Sequence, residues 1–121
     1  QAVAVGTLEI TLLANAEADA YTYVNKENCE ELCRYTPADR QMSARAEELA
    51  LRTWRGLGCR DAGRVDLRAD AAGELRVLEV NPLPGMHPEH SDLPILCTAV
   101  GVSYIELIRR IVDSALQRVS R

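Results

Sequence analysis

Two short extended segments joined by a compact turn constrain this 121-residue chain more than any other feature. The first contains Arg64-Val65-Asp66-Leu67. The second contains Leu78-Glu79-Val80-Asn81 and runs directly into Pro82-Leu83-Pro84-Gly85-Met86. Side chains two apart in a strand share a face, so Arg64 goes with Asp66 and Glu79 goes with Asn81. Asp70-Ala71-Ala72-Gly73 between the segments is a turn-forming sequence. The pattern predicts a hairpin over Val65–Ala69 and Glu74–Val80, followed by a long Pro/Gly/His loop from Asn81 to Leu93.

Asp66, Glu79 and Asn81 supply three oxygen donors on neighbouring strands. Hard divalent cations take such donors, and a nearby guanidinium suits developing negative charge on a phosphate. A glycine-bearing loop after the last donor can present backbone N–H groups to the same place. The plainer alternative is a set of solvated strand residues, with Arg64 a surface cation and Gly85 a turn glycine. Against it, Glu79 and Asn81 interrupt an apolar strand (Leu75, Val77, Leu78, Val80) as it enters the loop.

Elsewhere the chain alternates extended and helical patterns. Val3 to Ala14 reads as strand with a turn or bulge at Gly6, Asn15 to Asp19 as loop, and Tyr21 to Val24 as a short strand. Asn28 to Tyr35 is expected to hold a helical turn, bounded by Pro37. Ser43 to Leu57 is a helix, with Met42, Ala46, Leu49, Ala50, Thr53, Trp54 and Leu57 at helical spacing. Leu93 to Val100 is a short apolar helix closed by Gly101. The last helix runs from Tyr104 to Val119, opens with a Ser103/Glu106 capping box, and carries an apolar stripe from Tyr104 to Val119. The order β-β-α-ββ-α-α predicts an α+β domain over residues 1–121, an antiparallel sheet with helices packed on one face.

Phe is absent and aromatics make up 4% of the residues, so the core must come from aliphatic side chains. A net charge of −4 argues against nucleic acid as a partner. No stretch has the length to cross a membrane. Gln1-Ala2-Val3-Ala4-Val5 lacks the basic start of a signal peptide, and a cytoplasmic location is expected. Cys29, Cys33, Cys59 and Cys97 could form a tetrahedral zinc site, but the usual short Cys-x-x-Cys knuckles are missing. Reduced thiols, some buried as small hydrophobes, are the plainer reading.

The run Arg64-Val65-Asp66 with Glu79-Val80-Asn81-Pro82-Leu83-Pro84-Gly85-Met86 resembles the end of the ATP-grasp domain of D-alanine–D-alanine ligases. The resemblance continues through Ser91-Asp92-Leu93-Pro94 and Gly101-Val102-Ser103-Tyr104-Ile105-Glu106-Leu107-Ile108. It reaches back to Ala20-Tyr21-Thr22-Tyr23-Val24-Asn25-Lys26. It implies ATP with two Mg2+ ions (Mn2+ as an alternative) held by Asp66, Glu79 and Asn81. It further implies that Arg64 and the Gly85 N–H stabilise an oxyanion, that Lys26 contacts phosphate, and that Ser91 contacts the acceptor carboxylate. The implied reaction activates one amino acid as an acyl phosphate, which the amine of a second attacks, giving a D-dipeptide for peptidoglycan.

The resemblance also implies that this chain is the C-terminal ATP-grasp part of a larger ligase. Its partners would be small amino-acid substrates and the N-terminal portion of the same protein. The piece alone is expected to be inactive, and apolar surface left uncovered would favour a homodimer. His87-Pro88-Glu89-His90-Ser91 departs from the family pattern, which is about one residue shorter here and begins with Thr. A His-x-x-His zinc site, an acceptor pocket reshaped by His87 or His90, and a plain surface loop are the three readings. Two rival functions remain: an ATP-grasp ligase with a different acceptor, and a non-catalytic binding or regulatory domain that kept the fold.

Overall fold

The computed structural model describes residues 1–12 and 33–119. The expected loop at 15–19, the strand at 21–24, Lys26 and Cys29 lie outside them. The elements are β1 (Leu8–Leu12), β2 (Cys33–Pro37), α1 (Arg40–Gly56), β3 (Arg64–Ala69), β4 (Leu75–Asn81), α2 (Asp92–Ala99) and α3 (Tyr104–Val119). The α+β class holds. Among the described residues the strands form two antiparallel pairs, β1 with β2 and β3 with β4. Two local expectations change. The first strand begins at Leu8, because Val5 and Gly6 instead pack towards α2 and its core. Cys33 to Tyr35, expected within a helical turn, are extended and pair with Leu12 to Ile10.

Helix α1 starts earlier than its apolar spacing suggests. Asp39 is its N-cap, with a carboxylate oxygen accepting from the N–H groups of Gln41 at 2.9 Å and Met42 at 3.0 Å. That satisfies two of the donors a helix start leaves unpaired. The helix buries Ala46 and Trp54 and lies against the β3–β4 hairpin. Gly63 permits this packing. A Cβ there would lie 2.2 Å from Trp54 Cη2 and 2.6 Å from the Asn81 carbonyl oxygen.

The hairpin turn is built by Asp70, whose Oδ1 accepts from the N–H groups of Ala72 at 3.0 Å and Glu74 at 2.9 Å. Gly73 follows with φ of 80°, a left-handed conformation that glycine adopts without a Cβ clash. These bonds hold the Asp70 carboxyl below its usual range, the Glu74 N–H contributing most.

Helices α2 and α3 enclose a small core of Leu93, Cys97 and Leu107, with Val5, Ala62, Met86, Val102 and Ile111 around it. Cys97 is fully buried, and desolvation pushes its thiol pKa up. Cys59 and Cys97 are free thiols. At the start of α3, Ser103 Oγ accepts from the Glu106 N–H at 3.2 Å, as a capping box requires. The Glu106 carboxylate turns instead to Arg109 and Arg110, each at 2.8 Å. The apolar stripe on α3 is covered only near Leu107 and Ile111. Val112, Leu116 and Val119 are exposed. Near the helix end, Arg118 grips Asp61 with both terminal nitrogens, tying α3 to the segment that leads into β3.

Candidate functional site

The register of the hairpin brings the predicted residues together. Arg64 pairs with Asn81 and Asp66 pairs with Glu79 across β3 and β4. All four therefore project from one face of a two-stranded ribbon. A register shift lies between Asp66 and Leu67, where Glu79 pairs with Asp66 but Val77 pairs with Leu67. Leu78 is the extra residue of this bulge. Strict alternation would put Val77 and Leu75 on the same face as Glu79 and Asn81. The bulge resets the alternation, so Leu75 and Val77 join Val80 on the apolar side.

Arg64 is the hub. Its Nε donates to Asp66 Oδ1 at 2.6 Å and its Nη2 to Asp66 Oδ2 at 3.0 Å, a bidentate fork. Its Nη1 donates to Asp92 Oδ2 at 2.7 Å. The Asn81 amide, oriented by its neighbours, accepts from Arg64 Nη2 at 3.0 Å and donates to Glu79 Oε1 at 2.9 Å. The charged groups are largely sheltered, with side-chain exposures of 24% for Arg64, 20% for Asp66 and 12% for Asp92. Solvent screening is correspondingly weaker than at an open surface pair.

The loop after β4 folds back on itself. Ser91 Oγ accepts from the His87 N–H at 2.8 Å, and the Ser91 N–H donates to the His87 carbonyl at 3.1 Å. His87 Nδ1 accepts from the Glu89 N–H at 3.2 Å, and the His87 and His90 rings lie 4.5 Å apart between centroids. Gly85 sits beneath this closure. A Cβ on it would lie 2.7 Å from Ser91 Oγ, so the close approach itself selects glycine. Tyr104 Oη donates to the Met86 carbonyl at 2.9 Å and moors the loop to α3.

Arg64, Asp66, Glu79 and Asn81 thus form one cluster, and Gly85, His87, His90 and Ser91 form the adjoining loop. Lys26 lies outside the described residues. Asp92 was not anticipated from sequence, although it directly follows Ser91 in a segment already singled out. Gly63 was missed as well, because nothing in a single glycine before Arg64 announces the Trp54 ring above it.

The donor set suits a hard divalent cation. Asp66 and Glu79 face one another across the strands, and opposed like charges in such a pair favour an intervening cation. Arg64 partly fills that need here. Asp66, Glu79 and Asn81 are the residues that could hold such an ion. Among the described residues no group of three or more His, Cys, Asp or Glu is arranged to hold a metal. The site has two carboxylates and an amide.

The family model described as the D-ala D-ala ligase C-terminus matches residues 4–113. The chain belongs to this family. Its segment is 45% identical over 84 residues to a D-alanine–D-alanine ligase of Marinobacter nauticus, covering 69% of this chain and 25% of that protein. A D-alanine–D-alanine ligase of a Synechococcus species is 48% identical over 77 residues, covering 64% and 24% respectively. One from Bordetella petrii is 40% identical over 101 residues, covering 82% and 31%. The chain therefore spans roughly a quarter to a third of the length of these curated relatives. No helix among the described residues is long and apolar enough to cross a membrane.

Proposed function

We propose that this chain is the C-terminal part of the ATP-grasp domain of an ATP-dependent ligase that joins two amino acids, D-alanine with D-alanine by family. The observation that carries this reading is the grouping of Arg64, Asp66, Glu79 and Asn81 on one hairpin face. Asp66, Glu79 and Asn81 hold Mg2+, which supplies charge neutralisation for the nucleotide's phosphates when bound. Arg64, with its planar fork, meets the oxyanion that develops at the reacting carboxyl group. The Gly85 N–H assists it, and the close packing of Gly85 against Ser91 keeps that strand of backbone near the acceptor loop.

Ser91, His87 and His90 shape the acceptor side. Ser91 Oγ accepts from the His87 N–H, which leaves its hydroxyl proton to donate to a substrate carboxylate. The product is a D-dipeptide of the kind used in peptidoglycan, made in the cytoplasm. The nucleotide's other contacts, and the first substrate's site, belong to the portion of the family's proteins that this chain does not span. Lys26 contributes a phosphate contact.

The deciding experiment uses the full-length protein containing this chain. ADP release is followed with Mg-ATP across D- and L-amino acids and D-lactate, with products identified by mass. D-alanine-dependent release with D-alanyl-D-alanine as product is the expected result. Turnover with another acceptor alone would move the specificity to the His87–Ser91 loop. Absence of turnover with every acceptor would sink the ligase reading and favour a non-catalytic domain.

A further inference from the structure

Arg64 is held by two carboxylates, and only one of them belongs to the proposed metal ligands. Asp66 takes the Nε and Nη2 side of the guanidinium, while Asp92 takes Nη1 at 2.7 Å. Asp92 comes from the first turn of α2, directly after Ser91, and is the least exposed of the three charged side chains at 12%. We propose that Asp92 is a positioning residue that fixes the Arg64 guanidinium against the acceptor-side loop; this rests on the ligase reading given above.

The reasoning is a competition for Asp66. A divalent cation bound there draws on the same carboxylate oxygens that now receive Arg64, so the bidentate fork weakens whenever the cation is present. Without a second anchor the long arginine side chain would regain its rotamer freedom when its position matters most. Asp92 is on a different element and outside the ligand set, so its bond to Nη1 survives. It also couples two halves of the site. The anchor of the oxyanion-stabilising arginine is the immediate chain neighbour of the serine proposed to hold the acceptor carboxylate. A carboxylate in the first turn of a helix is favoured by the helix dipole, which suits a fixed anchor.

The test uses Asp92→Asn, Asp92→Glu, Arg64→Lys and the Asp92→Asn/Arg64→Lys pair in the full-length protein, with Mg-ATP and the substrates identified above. Asp92→Asn is expected to lower kcat by about 10- to 100-fold while leaving the KM for ATP within about twofold. Asp92→Glu recovers part of the loss, and the double variant is no worse than Arg64→Lys alone, because Asp92 acts through that arginine. Unchanged kcat in Asp92→Asn, or losses that multiply in the double variant, would overturn the proposal. A second readout does not need turnover. The Nη1 protons of Arg64, followed by nitrogen-15 NMR in the same protein loaded with Mg2+, should exchange with water several-fold faster in Asp92→Asn. An unaltered exchange rate refutes the anchor role even if the wild-type protein proves not to be a ligase, so the two ideas fail separately.

Discussion

At the scale of single residues, the site depends on backbone close approach as much as on charge. Gly63 lies under Trp54 and beside the Asn81 carbonyl, and a methyl group there has no space on either side. Gly63→Ala should destabilise the fold by about 1–3 kcal/mol, the usual cost of forcing an extra carbon into packed surroundings. The urea midpoint, at unchanged m-value, measures it. Glu79 sets a different kind of test. Its carboxylate is exposed and faces Asp66, so Glu79→Gln should leave folding intact. In the full-length protein the same change should cut turnover about a hundredfold or more, as removal of a ligand to the charge-neutralising ion would. Normal turnover in that variant would point instead to a domain that retains the fold without its chemistry.

At the scale of elements, the hairpin and the last helix were legible because their signals are local. Alternation, an Asp-x-x-Gly turn and a helical stripe are each contained in a few residues, and the last helix has the expected bounds. What was hidden depends on contacts distant in sequence. The bulge at Leu78 becomes visible only through pairing, and Asp92 gains its importance from Arg64, 28 residues earlier. The Asp39 cap was overlooked because the apolar periodicity of α1 begins only at Met42. Helix α3 also carries a pH signature. Arg109 first, and Arg110 with it, hold the Glu106 carboxyl at about 2 against an ordinary value of 4.5. A depressed folded-state pKa gives stability that is complete above the ordinary value and lost as pH falls through the lowered one. Melting temperature should therefore drop between pH about 4.5 and about 2, and Glu106→Gln should flatten that part of the profile. An identical profile in the variant would show that Glu106 contributes nothing to acid sensitivity.

At the scale of the whole molecule, the site lies on one surface of a chain that spans about a quarter of its relatives. On the proposed ligase reading nucleotide is enclosed between two halves, so this chain alone should bind Mg-ATP at least about 100-fold more weakly than the full-length protein, the scale on which joined binding elements reinforce one another. Calorimetric titration of both forms measures the ratio, and equal affinities would contradict it. The bulge at Leu78 has a consequence for tolerance of insertions as well as for geometry. It separates the hairpin into a turn-side stretch, Leu75 to Val77, and a site-side stretch, Glu79 to Asn81. A residue gained or lost near the Asp70 turn can be absorbed at that discontinuity before it reaches Glu79. The turn can thus change length while the reading frame of the acidic face stays fixed.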